Sequence, residues 1–180
     1  MRDFTRMISV LFIVCGLAAA SLAVMNAATK ERIAGYERRA REAALREVFA
    51  DADEFVVYRP DKVWEASCKG RKMGRVFLVQ VQGYSGPITL MFGTDAGGAV
   101  TALAVLSQTE TPGLGAKIAG AKFRDQFRNK RPEQLFLKKD DPARGQIDAI
   151  TGATISSRTV TKAVRSTLES FSGEKAGGNP

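Results

Sequence analysis

Residues 76–106 read VFLVQVQGYSGPITLMFGTDAGGAVTALAVL. Three runs rich in β-branched and aromatic residues are separated by two clusters of turn-formers. Val76–Gln82 shows partial apolar–polar alternation, the mark of a strand. Gly83-Tyr-Ser-Gly-Pro87 is a turn cluster, and Ile88–Phe92 reads as the partner strand. Asp95-Ala-Gly-Gly98 is a second tight turn, and Ala99–Leu106 is a third strand. Short connections force antiparallel neighbours, so this stretch predicts an antiparallel meander.

Helical patterns flank the meander on both sides. After it, Gly113 to Gly115 breaks the chain. Ala116–Phe127 then carries Ile118, Phe123 and Phe127 at helical spacing, with Pro132 as its stop. Lys138–Gly145 reads as a polar loop. Ile155–Phe171 is a final amphipathic helix with Ile155, Val160, Ala163, Val164, Leu168 and Phe171 on one side. Before the meander, Thr29–Phe49 is rich in good helix formers and places apolar residues at helical intervals, with Gly35 a weak point. Strands grouped together between helices predict an α+β fold, a small antiparallel sheet packed with helices.

The N-terminus adds a separate element. Met7–Ala28 has 22 positions without a charge, long enough to span a bilayer as a helix. Arg2 and Arg6 precede it, which favours an N-terminus left in the cytoplasm. The expectation is one transmembrane anchor at 1–29, a helical linker at 30–50, a folded domain at 51–172 delivered across the membrane, and a Gly-rich disordered tail at 173–180. A cleaved signal peptide is the rival reading of the first segment.

Composition narrows the chemistry. The 180 residues include no histidine, which removes histidine-based triads, His-rich zinc sites and histidine-ligated haem. The two cysteines, Cys15 and Cys68, cannot make a four-thiolate centre, and no metal site is read. Cys15 lies in the apolar run and Cys68 outside it, so pairing is not expected. Cys68 reads as a small buried apolar residue. The net charge of +8 is spread over 30–46, 69–75, 122–131 and 138–144 and interleaved with acids. That is a solvated basic face, and nucleic acid is not an expected partner.

Two loops resist a purely structural reading. Thr109-Glu-Thr-Pro-Gly-Leu-Gly115 joins a strand to a helix. Pro112 and Gly113 are turn-makers, yet the loop also presents Glu110 and two threonines, and its glycines would let a ligand approach the backbone. It is neither a Walker A loop nor a dinucleotide fingerprint. The second loop is Asp148-Ala-Ile-Thr-Gly-Ala-Thr154, which runs into Ile-Ser-Ser157 as the last helix begins. Asp148 or Thr151 could cap the helix. A helix start is equally a phosphate site, through its free N–H groups and dipole. The residues alone leave both readings open, although four hydroxyls exceed the needs of one cap.

Taken together, GYSGPITLMFG (83–93), TETPGLGAKI (109–118) and DAITGAT (148–154) resemble the FMN-binding subunits of bacterial ion-pumping electron-transport complexes. These are the G subunit of the Rnf complex and, more distantly, the C subunit of the sodium-pumping NADH:quinone reductase. The resemblance runs from the N-terminal anchor to the last helix and is weakest over 30–70. It implies that 51–172 binds FMN, whose phosphate forms a phosphoester with Thr154. It implies a flavin transferase that uses FAD as donor and reads Asp148, Thr151, Gly152 and Ala153. It also implies that Glu110, Thr111, Gly113, Leu114 and Gly115 lie beside the flavin. Thr151 stands where serine is common, and Ala116 where an acid is frequent.

The resulting expectation is a single-pass flavoprotein of the bacterial inner membrane with its C-terminal domain in the periplasm. It carries electrons among the other membrane components of an Rnf-type oxidoreductase and has no catalytic acid or base of its own. The cofactor does the redox chemistry and the protein positions it. The alternative is an FMN-binding accessory or regulatory module that serves a separate reductase or sensor; the chain ends soon after the motif helix, which favours a component of the pump. A third reading is a flavin-free binding or structural domain in which both motifs are only turn and cap.

Overall fold

Five antiparallel strands form one sheet in the order β1-β2-β3-β4-β5, the order of the chain. They are β1 (Glu54–Arg59), β2 (Val63–Cys68), β3 (Arg71–Gln82), β4 (Pro87–Asp95) and β5 (Val100–Gln108). One long helix, α1 (Arg2–Val48), precedes them. The computed structural model describes residues 2–50, 52–59 and 62–177. The fold is α+β, as the pattern of elements predicts, with two strands more than the meander read from 76–106.

Alternation explains the packing. Phe77, Val79 and Val81 of β3 join Ile88, Leu90 and Phe92 of β4 and Leu103 and Val105 of β5 in one apolar cluster. Their chain neighbours Val76, Leu78, Met91, Ala104 and Leu106 belong to a second cluster. Successive side chains of a strand point to opposite faces, so the sheet buries both. That is why the strands read as near-continuous apolar runs with only partial alternation. The first face is covered by α3 (Thr154–Gly177) and by the 115–137 segment, through Ile118, Phe127, Leu135, Leu137, Val160, Val164 and Leu168. The second is covered by Ala44, Val48 and Phe49, at the end of α1 and just after it. The chain divides into two units, Met1–Arg41 and Glu42–Pro180. The stretch read as a linker therefore gives its last residues to the core.

The helix read over Thr29–Phe49 is present as the continuation of α1 to Val48, and Gly35 does not interrupt it. Two local expectations change. Ala116–Phe127 is not one helix. It is a 3₁₀ turn (Gly115–Ala119), a single α-turn, α2 (Ala121–Arg124), and another 3₁₀ turn (Asp125–Phe127). Gly120 sits at φ −75° and ψ 146°, extended backbone that stops the helix from propagating. Pro132 opens a further 3₁₀ turn, Pro132–Gln134, because its fixed φ suits a first helical position. At the C-terminus α3 continues to Gly177, past the apolar stripe that ends at Phe171. The remainder of the tail, 178–180, lies outside the described residues.

Cys68 is half-buried, and its thiol donates to Asp53 Oδ2 at 3.3 Å, so it is a polar contact rather than a buried apolar one. Phe92 anchors the larger core. It is fully buried and stacks on Phe77 with centroids 5.2 Å apart. Phe92→Ala should destabilise the domain by about 3–5 kcal/mol, since it removes a large buried ring and leaves a void between sheet and α3. Chemical denaturation of the detergent-solubilised chain measures this directly.

Candidate functional site

Gln108 ends β5, and its side-chain oxygen accepts the Glu110 N–H at 2.7 Å. This local bond turns Glu110 inward, where it is only 4% exposed. Its Oε1 accepts the Ser85 N–H at 3.1 Å, and its Oε2 accepts the Ser156 hydroxyl at 2.5 Å. One carboxyl thus ties the 83–86 turn, the 109–115 loop and the first turn of α3 together. The flanking glycines make room for it. A Cβ on Gly83 would lie 2.2 Å from Oε1, and one on Gly115 would lie 2.6 Å from Oε2. Gly115 therefore makes room for the Glu110 carboxyl.

The hydroxyls around the α3 start have separate tasks. Ala153 N–H donates to Ile150 O at 2.9 Å, closing a turn that Gly152 enters at φ +78°. Ser157 Oγ accepts the Ile150 N–H at 3.0 Å and donates to Ala153 O at 2.9 Å, which pins the turn from below. Ser156 is held by Glu110. Ser156 and Ser157 are both buried. Thr151 is exposed and lines a groove with Lys117, Phe123, Gln126 and Asp148. Thr154 stands apart at the first position of α3, with its hydroxyl oxygen accepting from Lys139 Nζ at 2.9 Å. Of the crowded hydroxyls, two lock the turn and Thr154 meets a cation.

A cavity of about 470 Å³ opens beside Thr154. It is lined by Glu110, Thr111, Leu114, Gly115, Gly152, Ala153 and Thr154, together with Tyr84, Ile155 and Ser156. The fold therefore gathers seven of the ten residues singled out in the sequence. The other three lie elsewhere. Asp148 and Thr151 share the neighbouring groove, where Asp148 pairs with Lys138 at 2.7 Å and its N–H meets Gln126 Oε1 at 2.6 Å. Gly113 makes the turn before Leu114 at φ +77°. Tyr84, Leu114 and Ile155 are 67%, 44% and 49% exposed around the cavity. Tyr84 and Lys139 carry no sequence signal that marks them as site residues, Ser156 is visible only as one of the crowded hydroxyls, and Ile155 reads as part of the apolar stripe of the last helix although it is half exposed at the cavity. Tyr84 sits between turn glycines, and Lys139 lies in a stretch that reads only as polar loop.

Charge around the helix start is ordered. Arg158 donates two bonds to Asp140, both 2.6 Å, and these hold the Asp140 carboxyl below the usual carboxylate range. The backbone and then the side chain of Arg144 do the same for Asp141. Both carboxyls are therefore anionic at neutral pH, and their pairs loosen only as pH falls through these lowered values.

Residues 83–169 match the FMN-binding domain family. The matched segment begins at the first glycine of the β3–β4 turn and ends within α3, so it contains every residue of the site described here. The chain is 34% identical to the G subunit of the proton-translocating ferredoxin:NAD(+) oxidoreductase complex of Clostridium ljungdahlii, over 92% of this chain and 91% of that one. The chain belongs to the family of G subunits of ion-translocating oxidoreductase complexes. A second member, the G subunit of the Na(+)-translocating ferredoxin:NAD(+) oxidoreductase complex of Acetobacterium woodii, is 30% identical over 90% of this chain and 88% of its own. The crystal structure of the C subunit of the Na(+)-translocating NADH-quinone reductase from Parabacteroides distasonis shares the fold. Its TM-score is 0.52 at 23% identity, over 61% of this chain and 60% of that chain. Among the described residues α1 alone is long and apolar enough to cross a bilayer.

Proposed function

We propose that this chain is a membrane-anchored electron carrier of an ion-translocating ferredoxin:NAD(+) oxidoreductase, with FMN esterified through its phosphate to Thr154. The domain faces the periplasm, and a flavin transferase using FAD loads it. The observation that carries the reading is the placement of Thr154. It is the hydroxyl at the start of α3 that meets an ammonium, at the mouth of a cavity with exposed apolar walls.

The residues present suit the group. A cavity of about 470 Å³ is of ligand size. The opening amides of a helix have no intrahelical acceptor and favour an anion. Gly152, left-handed and with Leu114 Cδ2 only 3.0 Å from where a Cβ would sit, keeps the approach to Thr154 narrow and free of side chain. Tyr84, Leu114 and Ile155 offer apolar surface for a flat aromatic ring. Bound there, FMN would supply the electron transfer that no side chain of this protein can perform. The chain's own residues do the rest. Ser157 and Glu110 fix the turn, Thr154 would present the ester oxygen, and the apolar rim would help to exclude water from the ring.

Intact mass of the protein from its native host, followed by peptide mapping under denaturing conditions, tests this. The expected result is one added FMN less one water, mapped to the peptide containing Thr154. An unmodified mass from cells that contain the transferase refutes the carrier reading.

A further inference from the structure

We propose that Lys139 is the positioning residue for the phosphate carried by Thr154, pairing its ammonium with the phosphoryl oxygens as the ester forms. The inference rests on the reading of Thr154 as the flavinylated residue and goes beyond it by assigning a counter-ion from a loop that no motif marks.

The local charges single Lys139 out. Residues 138–141 read Lys-Lys-Asp-Asp. Lys138 is taken by Asp148 at 2.7 Å. Asp140 is taken by Arg158 through two bonds, and Asp141 by Arg144 at 2.7 Å. Each of these three charges is bonded to an opposite charge. Among the described residues Lys139 has no such partner: behind Arg158 it adds only a lesser pull on Asp140, and its ammonium donates to Thr154 Oγ1 at 2.9 Å, a neutral oxygen. Arg158 lies four residues along α3 from Thr154, on the same helix face, but Asp140 neutralises it. The charge left facing Thr154 is therefore the single positive charge of Lys139. An ammonium has three donors, and the hydroxyl occupies one. A phosphodiester at Thr154 carries one negative charge, so the two match one to one.

The chemistry balances with Lys139 as a spectator in the proton count. Thr154 Oγ forms a bond to the flavin-side phosphorus of FAD. The bond from that phosphorus to the bridging oxygen breaks, AMP leaves with that oxygen, and the hydroxyl proton is released to water. Nothing is oxidised or reduced. An ammonium has no lone pair, so Lys139 is not the base. It orients the Thr154 oxygen beforehand and offsets the phosphoryl charge afterwards.

The test is the initial rate of FMN incorporation into the detergent-solubilised full chain, with purified transferase and FAD, followed by intact mass. Lys139→Gln should slow incorporation about tenfold, the size of one hydrogen bond to a charged group. Lys139→Arg should stay close to the wild-type rate, because it restores the charge. Lys162→Gln, on an exposed position further along α3, should change nothing. All three variants should melt with the wild type. Wild-type speed in Lys139→Gln overturns the proposal. So does a loss that Lys139→Arg fails to restore. A wild-type chain that takes up no FMN removes both this inference and the carrier reading, a result distinct from failure of Lys139 alone.

Discussion

Thr154→Val yields a folded protein whose mass is that of the bare polypeptide and which shows no flavin fluorescence on a denaturing gel. The substitution keeps the β-branched shape and removes only the oxygen. That oxygen makes one contact to an exposed lysine, so stability should stay within about 0.5 kcal/mol of wild type. The effect on flavin is total because none of the other hydroxyls around the start of α3 can take over. Ser156 is buried and committed to Glu110, and Ser157 is buried against Ala153 O. Thr151 is exposed but opens into the groove shared with Asp148 and not into the cavity beside Thr154. Removing the Thr154 hydroxyl therefore removes the ester rather than shifting it. A flavin band that survives the substitution would show that the phosphate is attached elsewhere, and Thr151 would be the next residue to map.

The division of labour among these hydroxyls shows what a sequence can and cannot display. Their number is visible in it, and so is the competition between cap and phosphate site. Which hydroxyl does which task depends on contacts between residues far apart in the chain, such as Ser156 with Glu110, 46 positions away. Lys139 is invisible for the same reason: its meaning comes from where Lys138, Asp140 and Asp141 find their partners, not from its neighbours in sequence. The fold shows a similar boundary. Strands β3, β4 and β5 are legible because Gly- and Pro-rich turns punctuate them. Strands β1 and β2 are not. β1 is mostly exposed, and β2 buries the adjacent Val63 and Trp64, so no clean alternation marks them. The 116–127 segment carries helix-like spacing at Phe123 and Phe127, yet the extended Gly120 divides it into separate turns. Local periodicity reports that these residues are buried without reporting the backbone that buries them.

Glu110 is where the second large effect is expected, and it separates geometry from charge. Glu110→Ala empties the space between Gly83 and Gly115 and leaves the Ser85 N–H and the Ser156 hydroxyl without their acceptor. The Ser156 hydroxyl is buried and its loss of an acceptor is costly, whereas water can reach the exposed Ser85, so the domain should lose about 1–3 kcal/mol by denaturant titration. Flavin loading should fall with it, because the first turn of α3 is no longer tied to the loop that forms the other cavity wall. Glu110→Gln discriminates. Its oxygen can accept from Ser85 N–H while its amide donates to Ser156 Oγ, since a serine hydroxyl also accepts. If Glu110 acts by holding three segments in register, Glu110→Gln keeps most of the stability and most of the flavin. If Glu110→Gln loads flavin as poorly as Glu110→Ala while melting like wild type, the negative charge itself is required. In that case the buried carboxyl acts on the cofactor and not only on the fold. The expected outcome is the first, because both carboxyl oxygens are already met by protein donors and a glycine lies against each.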